Sequence, residues 1–161
     1  MKNIRIEIKW ALIFAAMSLT WMLIEKLAGL HDAHIDKHPI YTNFIAIPAI
    51  AVYVLALNDK RKNFYGGSMS YKQGFISGLI ITLIVTLLSP LTQYITSTII
   101  TPDFFANAIE YAVSNSKTSR EAAEAYFSLK NYIVQGLIGA PVMGIITTAI
   151  VAIFTRGRKK G

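Results

Sequence analysis

FISGLIITLIVTLLSPLTQYITSTII, residues 75–100, contains no Asp, Glu, Lys, Arg or His. At about 1.5 Å per residue a helix of this length reaches about 39 Å, against about 30 Å for the hydrocarbon core of a bilayer. A helix that long tilts or bends, and Pro90 supplies a bending point. Three further apolar runs share its character: Trp10–Leu30, Ile40–Leu57, which is short and interrupted by Pro48, and Tyr132–Phe154, which carries Pro141. Hydrophobic residues make up 53% of the 161-residue chain and the mean hydropathy is +0.45, which argues against a soluble globular protein. The N-terminal run follows Lys2, Arg5 and Lys9 like a signal peptide. It is too long for a signal core, however, and ends in Glu25-Lys26-Leu27-Ala28-Gly29-Leu30 without a small-x-small cleavage site, so an uncleaved first span is expected. The expected fold is all-α: an integral membrane four-helix bundle, with residues 1–161 forming one membrane domain.

Outward from the spans, charge sets the threading. Lys2, Arg5, Lys9, Lys60, Arg61, Lys62, Lys72, Arg156, Arg158, Lys159 and Lys160 fall beside alternate span ends, with only Glu7 and Asp59 as acids among them. The remaining bases are Lys26, Lys37, Lys117, Arg120 and Lys130, set against seven acids. Cytoplasmic flanks of membrane proteins are enriched in Lys and Arg, so both termini are expected in the cytoplasm. The net charge of +7 then belongs to loops facing lipid headgroups, and a nucleic-acid partner is not expected. Tyr41, Tyr71, Tyr94 and Tyr132 fall near predicted interfaces, whereas Trp21 falls close to mid-span as a packing residue. Glu25 and Lys26, near the outer end of the first span, are placed to snorkel into the interface.

The outer segment between the third and fourth spans has helical periodicity. Thr101-Pro102 reads as an N-cap and first helical position, after which Phe104, Phe105, Ala108, Ile109, Ala112 and Val113 share one face. After a turn at Asn115-Ser116-Lys117, Thr118 and Glu121 fit a capping box, and Ala122, Ala125, Tyr126 and Leu129 form a second stripe. An amphipathic helical hairpin over residues 102–131 is expected, either as a packed cap or as a docking surface.

Inside the spans two ladders of small residues stand out. Gly74, Gly78, Thr82, Thr86 and Pro90 repeat every four residues, as do Gly136, Ala140, Gly144, Thr148 and Ala152, with Gly139 adjacent. In lipid no hydrophobic effect drives helices together, and small side chains let backbones approach closely. Gly74, Gly78, Gly136, Ala140 and Gly144 are therefore the candidate packing residues, serving either contact between spans three and four or a homodimer face.

All three histidines lie in one loop with two acids: His31, Asp32, His34, Asp36 and His38. If the first helix continues outward, His31, His34 and His38 share a face, a spacing suited to zinc, another divalent ion or a pH sensor. The competing reading is a polar connector in water, and no resident metal or cofactor is assigned. There is no cysteine, so neither a disulfide nor a thiolate site exists. No nucleophile elbow, phosphate loop or carboxylate pair occurs, and no ionisable residue lies near the centre of a span. A proton pump and an enzyme are not expected.

The segment Met69-Ser70-Tyr71-Lys72-Gln73-Gly74-Phe75-Ile76-Ser77-Gly78, with Gln93-Tyr94-Ile95, Thr101-Pro102-Asp103-Phe104-Phe105 and the Gly136–Gly144 run before a basic C-terminus, resembles the bacterial membrane family called domain of unknown function 4199. The resemblance covers nearly the whole chain and implies a four-helix protein of the bacterial inner membrane. It brings no activity or ligand, and the His31–His38 loop is outside its pattern. The expected role is that of a non-enzymatic accessory or scaffold protein binding itself or another membrane protein. The alternative is a small transporter or channel subunit for a neutral or metal-linked solute.

Overall fold

A computed structural model describes residues 4–115 and 117–157; Lys2, Ser116, Arg158, Lys159 and Lys160 lie outside them. The described chain is helical: α1 (Arg5–Leu27), α2 (His38–Tyr41), a 3-10 turn (Thr42–Ile45), α3 (Ala46–Asn63), α4 (Tyr71–Ile95), a π-turn (Thr96–Ile100), α5 (Phe104–Ser114), α6 (Arg120–Tyr126) and α7 (Leu129–Thr155). Four helical stretches, Arg5–Leu27, His38–Asn63, Tyr71–Ile100 and Leu129–Thr155, are long and apolar enough to cross a membrane. The first three spans run further towards the basic end than the apolar runs indicate, because Arg5, Lys9, Lys60, Arg61, Lys62 and Lys72 are helical there, whereas the fourth gains only Thr155 before Arg156 leaves the helix. The first span also stops three residues earlier at its other end.

The helices start and turn for local reasons. Ser70 caps α4 in a capping box, accepting from the Gln73 amide while the Gln73 side chain accepts from the Ser70 amide. Pro90 removes the amide that would bond the Thr86 carbonyl, and the Ser89 hydroxyl donates to that carbonyl at 2.8 Å instead. Pro48 falls in the first turn of α3, just after the 3-10 turn, so the second span continues as one rod despite its proline.

The two small-residue ladders face one another in antiparallel register. Gly74 lies against Ala152, Gly78 against Thr148, Gly144 against Thr82 and Gly136 against Ser89, while Gly139 faces open space. Ala140 is half-buried. Tyr53 and Thr82 share a hydroxyl hydrogen bond of 2.8 Å that ties α3 to α4 at the same level. Around it Ala11, Ala56, Leu57, Ile81, Val151 and Ala152 are buried and fill the middle of the bundle.

The start of α1 and the end of α7 lie at one end of the bundle. An isolated antiparallel bridge pairs Met69 with Gly157, and the Arg61 guanidinium donates to the Thr155 carbonyl at 3.0 Å. Glu7, Lys60 and Ser77 meet at this end, buried between α1, α3 and α4. Lys60 Nζ lies 2.9 Å from Glu7 Oε1, and the Ser77 hydroxyl donates to the same oxygen at 2.7 Å. Nearby, Lys9 pairs with Asp59, which also accepts from the Trp10 indole at 2.7 Å. Burial, together with the charge of Glu7, pushes the phenol of Tyr65 up from its ordinary value.

Candidate functional site

At the opposite end α1 stops in a Schellman turn. Ala28 is the C-cap, Gly29 takes φ +75°, its amide donates to the Lys26 carbonyl, and the Leu30 amide donates to the Glu25 carbonyl at 3.0 Å. Only a residue at ease in the left-handed region closes this turn without strain. The reversal brings His31 back over the end of the helix it has just left.

Glu25 lies at the centre of the resulting cluster. Its carboxylate points inward, almost fully buried, instead of snorkelling into the interface as the sequence suggests. The Trp21 indole donates to Oε1 at 2.5 Å, one turn back along α1, so Trp21 is a partner of the cluster near the helix end and not a mid-span packing residue. The other oxygen, Oε2, lies 3.1 Å from His31 Nε2 and 3.6 Å from His38 Nε2. His34 does not join them: the chain turns at Gly29 instead of continuing as a helix, and His34 is exposed. The common face expected for His31, His34 and His38 is thus replaced by Glu25, His31 and His38, whose ligand atoms lie within 4.8 Å of one another.

The hairpin of α5 and α6 covers this cluster. Phe104, at the start of α5, packs its ring 5.1 Å from that of His31 and 5.0 Å from that of His38. The Asn107 amide donates to the His31 carbonyl at 2.9 Å. Asp103 takes the cap position of α5 in place of Thr101, whose hydroxyl donates instead to the Thr96 carbonyl across the π-turn at 3.1 Å. Ser119, not Thr118, caps α6, accepting from the Ala122 amide. Tyr132 of α7 packs among Phe104, Phe105, Tyr126 and Phe127 and pins the hairpin to the fourth span. Ala108, Ala112 and Ala123 are buried beneath it.

Residues 9–157 match the sequence model of the family described as protein of unknown function DUF4199. The chain belongs to that family. No curated protein and no solved structure shows a significant match to it. In this DUF4199 protein, the site residue that sequence reasoning undervalues is Glu25. The signal for it was Gly29, which follows a basic last turn as helix-ending glycines do, with Glu25 at the position the turn folds onto.

Gly29→Ala is expected to destabilise the protein by about 1–2 kcal/mol, the cost of a side chain in the left-handed region. In the same variant the added Cβ meets the Asp32 carboxylate at 3.3 Å and His34 Cδ2 at 3.4 Å, and relaxation of the strained turn is expected to move His31 relative to Glu25. Thermal unfolding in detergent checks the first effect. The second is checked by the ring resonances of His31 and His38 in NMR spectra, which should change.

Proposed function

We propose that this is a multi-pass protein of the bacterial inner membrane, with both termini cytoplasmic, that acts without catalysis as an accessory protein binding another membrane protein or a second copy of itself. The observation that carries the reading is the filled interior. Thr82 is buried against Gly144 and bonded to Tyr53, and one turn away Gly78 is closed off by Thr148. A bundle packed this tightly leaves its outer surfaces, not a central path, as the place to act. The gathering of Arg5, Lys9, Lys60, Arg61, Lys62, Lys72 and Arg156 at the end where α1 starts and α7 stops supports the cytoplasmic orientation. Ion pairs and backbone contacts hold several of these bases, yet the lipid-facing charge stays positive.

In-cell photocrosslinking from Leu83, Leu87 or Leu91, which form an exposed ridge on α4, tests the proposal. A discrete crosslinked partner or dimer is the expected product. The competing solute-path reading predicts that cysteines placed at Thr82 or Thr86 react with a membrane-impermeant maleimide. Rapid labelling there, with no crosslinked species, would overturn the accessory role.

A further inference from the structure

We infer that Glu25, His31 and His38 form a binding site for a divalent first-row transition-metal ion, with zinc as the reference ion. Two imidazoles and one carboxylate are the borderline donor set that such ions select; calcium and magnesium need more oxygen ligands than this site holds. Four ligands at 2.0–2.1 Å around a tetrahedral ion stand about 3.3–3.4 Å apart. The carboxylate oxygen Oε2 lies 3.1 Å from one imidazole nitrogen and 3.6 Å from the other, bracketing that edge length. The three ligand atoms lie within 4.8 Å of one another, and an ion seated between them draws the two imidazole nitrogens to that edge length.

The surroundings favour the same occupant. The Trp21 indole holds Oε1, which leaves Oε2 as a single, oriented ligand oxygen, the role that outer partners play around metal centres. Phe104 fixes both rings against one face, and Asn107 fixes the backbone that carries His31. A cavity of about 110 Å³ lined by Met22, His31, His38, Gln93, Thr101 and Tyr132 adjoins the cluster, room for the water that completes four-coordination. His38 is the partly exposed ligand and marks the entry side. Binding through His31 Nε2 moves that ring's proton to Nδ1, which is buried with no partner among the described residues. An unpaired N–H there weakens the site, so reversible loading is favoured over permanent occupancy.

The three residues come from the end of α1, the loop after it and the start of α2, so an ion would staple the first span to the second beneath the hairpin. The site needs no partner protein, and its failure would leave the accessory reading intact.

The test uses the full chain, tag-free, purified in detergent and stripped with chelator. Titration with zinc, followed calorimetrically, and with cobalt, followed by the visible bands of tetrahedral Co²⁺, should both give one equivalent. His38→Gln should weaken binding by about 100-fold or more, whereas His34→Gln should leave it unchanged. Zinc should also raise the unfolding temperature of the wild type and of His34→Gln but not of His38→Gln, which shows whether each variant is folded. No stoichiometric binding, octahedral cobalt spectra, or equal losses in the His34 and His38 variants would overturn the site.

Discussion

Gly144→Leu is expected to destabilise the bundle by about 3 kcal/mol or more, the upper range for overpacking a filled interior. A Cβ added at Gly144 would lie 2.6 Å from the Thr82 hydroxyl oxygen and 3.0 Å from the Thr82 Cβ. The Cβ of Thr82 is fixed by the α4 backbone, so no change of rotamer relieves the second contact. The helices must separate, which opens the buried contact between α4 and α7. Gly78→Leu should act alike, since Thr148 stands in the same relation to Gly78. The remaining glycines supply a graded series of alanine variants. Gly74→Ala meets Met69 Cε at 3.1 Å, the far end of a flexible side chain, and should cost less. Gly136→Ala finds Ser89 at 3.5 Å, an ordinary contact, and Gly139→Ala finds open space. Those two should be neutral or stabilising by up to about 1 kcal/mol through helix propensity alone. Unfolding temperatures in one detergent decide the matter. If all five glycines responded equally, contact between α4 and α7 would not be what the ladders serve.

That series also separates what the sequence displays from what it hides. A repeat of four small residues in each of two apolar runs is visible because a helix returns to the same face at nearly that interval. The partner of each ladder is not visible, because identity of register depends on how the whole bundle closes. Long apolar runs locate the spans for the same one-dimensional reason. Their ends shift because a helix does not stop where apolar residues stop: Lys60, Arg61 and Lys62 are helical. The cluster around Glu25 is of another kind. Its geometry follows from a single backbone angle at Gly29, and a glycine inside a run of small and apolar residues looks like one more packing position. Once that angle turns positive, His31 falls onto Glu25 and His34 onto solvent, which no periodicity along a continued helix reproduces. The caps of α5 and α6 move by one or two residues because Thr101, Asp103, Thr118 and Ser119 are all competent caps, and the closure of the hairpin chooses among them.

Lys60→Met should destabilise the protein by about 3–5 kcal/mol, more than any change to an exposed base, because it strands the Glu7 carboxylate in a buried position. Glu7 is 1% exposed and Lys60 4%, so water screens this pair far less than it screens Arg120 and Glu110 on the hairpin of α5 and α6. The ammonium group also lies 3.8 Å from the centre of the Phe64 ring, and the straight chain of methionine keeps the packing but neither the charge nor the ring contact. In Glu7→Gln/Lys60→Met the stranded charge is gone, and the glutamine side chain can still bond the Ser77 hydroxyl, which donates to Glu7 at 2.7 Å in the wild type. The double variant should therefore recover much of the stability lost in the single one, with a coupling energy of about 1–3 kcal/mol in a full cycle. Arg120→Ala, by contrast, should change stability by about 0–1 kcal/mol. This contrast bears on topology as well as on packing. Lys60 is one of the bases whose placement argues for a cytoplasmic end, yet its charge is spent inside the bundle on Glu7. Lys62→Gln and Lys72→Gln, at exposed positions, should instead leave the unfolding temperature nearly unchanged and shift the orientation of a reporter-tagged chain when combined. A Lys60→Met variant as stable as the wild type would show that Glu7 finds its compensation elsewhere, and the buried pair could no longer be counted among the contacts that join α1 to α3.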